Sequence, residues 1–344
     1  MQQVIREDIG VICDEELPWE RLQNKKMLVT GASGFLGAYI VYSLLECNRE
    51  HQTNITVYAL CRNEEKANIK FNEERDNARL KILFQNVCEE ISDEYRSDII
   101  IHAASPANPY IIHQQPYEVI KANVIAYNNI LEKAKKWNTE EIVLFSSSAV
   151  YGYSTPDCGA DEHYRDSIDF TNDKDVYCLS KQMSEMMTVC FQKTYKIPVK
   201  VIRPFVVYGP DDDLLSHKGM IDFLNDCLSN RNIILKSKGD AVRTYVYVSD
   251  AIRAFFYILL KGKSDAYNIS SDNVYSIREL AEIFCECNKN ISIEYKIDNA
   301  EYLKNRSKVM IGKNEKLKEL GWTEKVNMRE GIMRMISWGK ENIR

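Results

Sequence analysis

The sequence is short of features that mark several classes of protein. Nowhere in its 344 residues is there an apolar run of about 18, the length a membrane-spanning helix requires, so no membrane association is expected. The first residues, Met1-Gln2-Gln3-Val4-Ile5-Arg6-Glu7-Asp8, form no apolar export signal, which predicts a cytoplasmic protein. Positive charge is not in excess: 45 Lys and Arg face 50 Asp and Glu, for a net charge of −5, well mixed along the chain. Without a basic stripe, nucleic acid is excluded as the main partner. The ten cysteines are scattered; Cys285 and Cys287 come nearest to a cluster, and no second pair or pair of histidines stands at zinc spacing. They are expected to be reduced thiols, mostly packing the core, with neither disulfide nor metal. Glycine is scarce as well, 14 in all, so glycines recurring at a regular spacing carry information. No internal repeat and no low-complexity segment is present.

What is present is an ordinary globular balance, 45% apolar and 28% charged. The length suits one large α/β domain with an added lobe, or two domains. Residues 1–24 carry mixed charge, and a docking helix and a loose arm both fit them. From Lys26 onward, short β-branched runs alternate with helical stretches. Strands are expected over 27–30, 55–60, 81–84, 98–103, 141–145 and 199–202. Helices are expected over 36–45, 116–136 and 177–195. That rhythm predicts an α/β fold with a doubly wound parallel sheet of the Rossmann type. From about Gly209 the rhythm becomes irregular, as in a smaller mixed lobe.

Between the first strand and the first helix lies Thr30-Gly31-Ala32-Ser33-Gly34-Phe35-Leu36-Gly37. A phosphate-binding turn needs glycines here, for a tight turn, for backbone approach to a pyrophosphate and for close helix–strand packing. The helix N-terminus then offers free N–H groups and partial positive charge to the anion. The spacing is G-x-x-G-x-x-G, expected by chance only about 0.02 times in a chain of this composition. The second strand ends in Ala59-Leu60-Cys61-Arg62-Asn63, without the acid that would accept from the ribose hydroxyls of NAD. Arg62 instead suits the 2′-phosphate of NADP.

The fifth strand closes in Phe145-Ser146-Ser147-Ser148-Ala149-Val150-Tyr151-Gly152, placing hydroxyls where a doubly wound sheet meets its ligands. Tyr177 and Lys181 stand at i and i+4 on one helix face. Two other such pairs exist, Tyr117/Lys121 and Tyr257/Lys261, but only Tyr177 follows the serine strand by one loop and helix. Oxidising a sugar carbinol requires loss of its hydroxyl proton. Free tyrosine, with a pKa of about 10, is roughly three units too weak for a base at neutrality, about 4 kcal/mol. An ammonium about 4 Å away at an effective dielectric near 20 supplies a similar amount. Lys181 is therefore expected to activate Tyr177, with no metal required.

In these residues the chain resembles the extended short-chain dehydrogenase/reductases, the NAD-dependent epimerase/dehydratase family, from about Lys26 to Lys340. The resemblance implies that Gly31, Ser33, Gly34, Phe35, Leu36 and Gly37 hold the dinucleotide. It places Asn86 and Val87 at the adenine, with Ala103, Ala104 and Ser105 (after His102) under the cofactor. Asn123 supports the fold beside it. Ser147, Tyr177 and Lys181 are implied as catalytic, with Ser148 close enough to compete and to touch substrate. Arg203-Pro204-Phe205-Val206-Val207-Tyr208-Gly209-Pro210 resembles the segment beside the nicotinamide, with Val206 implied at the cofactor and Tyr208 at the substrate. Arg243 resembles an arginine on the nucleotide diphosphate, and Lys316-Leu317-Lys318-Glu319-Leu320-Gly321-Trp322 resembles the family's C-terminal signature. The organisation implied is an extension, 1–24; a dinucleotide-binding domain, 25–208, with 243–272 returning to it; and a nucleotide-sugar lobe, 209–242 and 273–344. The partners implied are a nucleotide-sugar and a second copy of the chain, a homodimer paired through its long helices.

Family 4,6-dehydratases carry an Asp-Glu pair directly after the catalytic Thr. Here Ser148-Ala149 stands in its place, and decarboxylases usually carry Glu where Ala149 is. Ser-Ser-Ser-Ala-Val-Tyr-Gly is closer to the C4-epimerases, so the expected reaction is NAD(P)-dependent epimerisation at C4. A 4-reductase, a decarboxylase and a 4,6-dehydratase stay open, as does a sensor that binds the dinucleotide without catalysis. His51, His113, His163 and His217 read as surface or loop residues. Asp211-Asp212-Asp213 reads as a solvated loop rather than a metal site, and Trp322 and Trp338 as packing in the C-terminal lobe.

Overall fold

Strand β1 (Lys26–Thr30) is buried on both sides: Met27 and Val29 point into one core cluster and Leu28 into the other. The computed structural model describes residues 1–106, 109–216, 219–297 and 308–342. Numbering strands in chain order, β1 is joined by β2 (Thr56–Cys61), β3 (Leu80–Phe84), β4 (Ile99–His102), β5 (Glu141–Phe145), β6 (Val199–Pro204) and, far along the chain, β10 (Ala266–Ile269). The seven form one parallel sheet in the order β10-β6-β5-β4-β1-β2-β3. The chain winds outward from β1 in one direction through β3 and in the other from β4, so the order reverses between β1 and β4.

The helices, also in chain order, are α1 (Gln3–Cys13), α2 (Phe35–Glu50), α3 (Glu64–Lys70), α4 (Pro109–Gln114), α5 (Pro116–Ile120), α6 (Ala126–Trp137), α7 (Val176–Tyr195), α8 (Gly219–Leu228), α9 (Val248–Lys261), α10 (Ile277–Cys287), α11 (Glu315–Lys318) and α12 (Met328–Asn342). α2 and α9 cover the face that takes Met27 and Val29, and α6 and α7 cover the face that takes Leu28. The single helix expected over 116–136 is interrupted by a π-helical turn, Lys121–Ile125. The backbone carbonyl of Asn123 there accepts from the Ser184 hydroxyl at 2.8 Å. A carbonyl engaged from outside the helix is the kind of interruption that accompanies a π-turn.

Residues 1–24 take the docked form. α1 lies on α2 and α9 with Ile5, Ile9 and Ile12 buried. Asp8 accepts from the Tyr39 and Tyr247 hydroxyls, 3.0 Å each, and from Arg334 at 2.9 Å. Glu15 accepts from Arg253 and Tyr257, 2.7 Å each, and from Lys325. Trp19 stacks on His51, ring centroids 5.2 Å apart, and meets Phe256 edge-on. His51 is exposed in the bend after α2, as expected of a surface or loop residue, and its Nε2 lies 2.8 Å from the Cys13 carbonyl. All ten cysteines are free thiols.

The smaller lobe is built on β9 (Val242–Tyr247), flanked by β11 (Val274–Ser276) and β13 (Val309–Met310) and joined by β7 (Val206–Tyr208); β8 (Ile233–Leu235) pairs with β12 (Ile293–Tyr295). α10 opens with a capping box: the Ser276 hydroxyl accepts from Glu279 N–H, and the Glu279 carboxylate from Ser276 N–H. Trp322 is buried and donates from Nε1 to the Asp250 carbonyl at 3.0 Å. Among the described residues no helix is long and apolar enough to cross a membrane.

Candidate active site

Where strand order reverses, the C-terminal ends of β1 and β4 open a crevice, and the glycine turn sits in it. Gly31 has φ +67°, and a Cβ there would stand 2.8 Å from Ala104 Cα and 2.9 Å from the Ala103 carbonyl. Gly34 caps α2, its N–H donating to the Gly31 carbonyl at 2.9 Å. A Cβ on Gly37 would fall inside the surface of that same carbonyl oxygen. The first turn of α2 has no capping side chain and no carboxylate, so its leading N–H groups face outward, where they suit an anion. This cradle, closed to any side chain, fits a dinucleotide diphosphate.

Around it, Ser33 is buried beside the Cys61 thiol. Arg62 is exposed at the end of β2. Asn86 is exposed after β3, its side-chain oxygen accepting from Cys88 N–H at 3.0 Å, and Val87 is buried next to it. Val206, half-buried, opens β7 against Tyr245 of β9. His102 is buried; its Nδ1 lies 2.9 Å from the Thr30 hydroxyl, and its ring stacks on Tyr127. Burial, helped by the charge of Lys181, draws its pKa down to about 3, so the ring is neutral.

Ser147, at the end of β5, caps a short helical turn by accepting from Ala149 N–H at 3.1 Å. Tyr177 stands one residue into α7, with Ser147 and, beyond β4, Ser105 near its phenol. Burial pushes that phenol above its ordinary range, and the two serine hydroxyls pull it back. Lys181 lies 6.0 Å from the Tyr177 ring centroid and donates to the Phe145 carbonyl at 2.7 Å. Burial draws its ammonium down to about 7, against the pull of Glu185.

The network around these residues includes Asn123, expected from the sequence, and Glu185, Asp175 and Tyr153, which no motif marked. Asn123 is buried between Ser105, whose hydroxyl donates to its Oδ1 at 2.8 Å, and Ser180, which accepts from its Nδ2 at 2.9 Å. Behind Lys181, Glu185 accepts from Ser146 at 2.6 Å and from Nε and Nη2 of Arg203. Beside Tyr177 a cleft is lined by Ala149, Tyr153, Lys174, Asp175, Cys178 and His113 among others. Asp175 is buried there and accepts from the Tyr153 hydroxyl and from Asp169 N–H.

Ser148 is half-buried in the turn after Ser147. Arg243 is the second residue of β9, opposite Tyr275 and Met310. Tyr208 is packed in the core against Tyr247 and Gly331, and the structure does not bring it to the Tyr177 cluster. The loop 211–213 is less solvated than expected: Asp211 pairs with the nearly buried Lys70, and Asp212 is buried. His113 and His163 are exposed, His113 at the cleft, and His217 lies outside the described residues.

A doubly wound sheet with an anion cradle at its reversal point, and a Ser-Tyr-Lys cluster beside that cradle, define a dinucleotide-dependent enzyme of the short-chain class. The chain belongs to the NAD dependent epimerase/dehydratase family, whose profile matches residues 27–270. It is 26% identical to a human dTDP-D-glucose 4,6-dehydratase over 97% of this chain and 95% of that one. It is 29% identical to a putative UDP-glucose 4-epimerase of Methanocaldococcus jannaschii, over 92% of this chain and 99% of that one. Among solved structures, UDP-glucose 4-epimerase of Thermotoga maritima shares the fold with a TM-score of 0.80 at 24% identity, covering 93% of this chain and 100% of that one. The protein is an enzyme of a family of nucleotide-sugar epimerases, 4,6-dehydratases and decarboxylases.

Proposed function

We propose that the enzyme is an NAD(P)-dependent nucleotide-sugar C4-epimerase. The observation that carries this reading is the segment Ser147-Ser148-Ala149 beside Tyr177: it offers hydroxyls to a sugar oxygen and no carboxylate for eliminating water or assisting loss of CO2. In this reading Tyr177 takes the proton of the C4 hydroxyl, and Ser147 binds the same oxygen. Lys181 holds the cofactor ribose and adds positive charge. Gly31, Gly34, Gly37 and the first turn of α2, with Ser33, Phe35 and Leu36, hold the diphosphate. The bound dinucleotide supplies a hydride acceptor that later returns the hydride. Arg243 and Ser148 are assigned to the nucleotide-sugar.

Arg62 supports NADP, and a tighter Kd for NADP+ than for NAD+ that Arg62→Ala reverses is the expected result. The apolar side of α7 supports a homodimer. Free thiols agree with a reducing, cytoplasmic setting. The test of the reaction is incubation with UDP-, GDP-, CDP- and dTDP-sugars, followed at 340 nm and by product analysis. An isomerised sugar with no net change in cofactor is expected; net NADPH consumption overturns epimerisation in favour of a reductase. A second reading, 4,6-dehydration, is favoured by Asp175 and Tyr153, an acid and a phenol in the cleft. It predicts a product lighter by one water.

A further inference from the structure

We propose that Asp175 is a specificity-determining residue, a buried carboxylate that accepts a hydrogen bond from a sugar hydroxyl neighbouring C4. The inference rests on the reading of Tyr177 as the residue that meets the sugar at C4, since Asp175 and Tyr177 line the same cleft. It starts from the place of Asp175 in the chain. Asp175 is the N-cap of α7, where an aspartate ordinarily accepts from N–H groups of the first helical turn. Its side chain makes no such bond. Instead Oδ2 accepts from the Tyr153 hydroxyl and, at 3.1 Å, from Asp169 N–H. Among the described residues nothing donates to Oδ1, although Asp175 is only 7% exposed.

A carboxylate accepts at both oxygens and has no hydrogen to give. Burying one with an oxygen unmet is costly, so the open oxygen calls for a donor that arrives with the ligand. The cleft offers no buried donor of its own. Tyr153 has given its hydroxyl hydrogen to Asp175 and accepts from Asn172 Nδ2 at 3.5 Å, so it has no donor left for a ligand. Lys174 and His113, which also line the cleft, are exposed to solvent. A sugar hydroxyl has a hydrogen to donate, and its bond to a carboxylate is charge-assisted, roughly twice as strong as a neutral one. With C4 at the phenol, the nearest hydroxyls are those on C3 and C6. A sugar without the matching hydroxyl leaves the carboxylate unmet. A site built on such a polar contact rejects the analogue far more strongly than an apolar pocket rejects a missing methylene.

The test is calorimetry on NAD(P)+-loaded protein in the Tyr177→Phe background, chosen because it lacks the proton acceptor and so binds without turnover. The ligands are UDP-, GDP-, CDP- and dTDP-glucose and, for the nucleotide that binds, its 3-deoxyglucose and 6-deoxyglucose forms. One deoxy form is expected to bind at least about a hundredfold more weakly than the parent, and it names the hydroxyl. Adding Asp175→Ala should bring that ratio below about threefold. Asp175→Asn, which keeps an oxygen for Tyr153 and Asp169, should bring it to about tenfold. A ratio that neither substitution changes, or two deoxy forms that bind as well as the parent, overturns the role of Asp175. So does a wild-type product lighter by one water that Asp175→Asn abolishes, which assigns Asp175 to proton transfer. The expected ratios together with no isomerised sugar from the wild type overturn the epimerase reading alone. Failure of every nucleotide-glucose to bind overturns both.

Discussion

At the scale of single residues the geometry turns on a few atoms. The Gly31 carbonyl oxygen occupies the space a side chain at position 37 requires, and backbone on both sides of that contact leaves nothing flexible to move. Gly37→Ala is expected to push the head of α2 off the β1 turn, weakening NAD(P)+ binding at least tenfold by calorimetry; unchanged affinity would remove the cradle from the argument. Tyr177→Phe removes the phenol oxygen and keeps the ring, so turnover should fall by at least about a thousandfold while cofactor affinity changes less than about threefold. Persistence of the biological role in that variant would favour the sensor reading. The glycine spacing and the Tyr177/Lys181 pair were legible in the sequence, because each depends on local spacing along one turn or helix. The motif also singled out Ser147 over Ser148, and the turn after β5 is what sets the two serines apart, Ser147 capping it and Ser148 lying within it. The bond from Ser105 to Asn123 was not legible, since the loop after β4 and the π-turn meet only in the folded chain and no local pattern encodes that contact.

At the scale of elements the N-terminal arm shows how charge can mislead. Mixed charge over 1–24 read equally as a docked helix or a loose arm, since carboxylates are ordinarily solvated. Asp8 and Glu15 are buried because each has three partners. For Glu15, burial pushes the carboxyl up, but hydrogen bonds from Arg253, Lys325 and Tyr257 outweigh it and hold it at about 2, against an ordinary value of 4.5. A carboxyl depressed on folding contributes stability that is complete above its unfolded pKa and lost as pH falls through the folded one. The gap corresponds to about 3 kcal/mol, present above pH 4.5 and lost between pH 4.5 and 2. Thermal unfolding should show Tm falling steeply in that window, and Glu15→Gln should flatten the fall while lowering Tm at pH 7. A slope identical to wild type would mean that Glu15 is not engaged by α9 in solution. The helix 116–136 was read from its periodicity, and the pattern hid one added residue: a π-turn shifts phase by a fraction of a turn, too little to disturb the apolar stripe on either side.

At the scale of the whole molecule, six of the sheet's seven strands were legible because inner strands buried on both faces force continuous apolar runs, whereas β10, far along the chain, and the lobe's strands of two to six residues leave weak signals. The faces left outside this architecture carry the last expectation. On α7, Met183, Met186 and Cys190 are exposed at i, i+3 and i+7, with Val189 at their edge, although the rest of the helix packs on the sheet. On the neighbouring helical run, Tyr117, Ile120 and Ile125 are exposed as well, and α5 packs against α7. Exposed apolar side chains scattered singly need no explanation, but a stripe across two adjoining helices has an area that water disfavours. A second copy related by a two-fold axis would cover the stripe with itself, since such an interface uses the same patch twice. Burying each methionine contributes about 1.5–3 kcal/mol, and the symmetry doubles every contribution. Replacing Met183 and Met186 by Glu sets four carboxylates facing one another, so the dimer Kd should rise at least about a hundredfold. Sedimentation velocity should then show a monomer that still binds NAD(P)+, because neither side chain reaches the glycine cradle. A wild-type protein that sediments as a monomer would leave the stripe without a partner of its own kind and overturn the pairing.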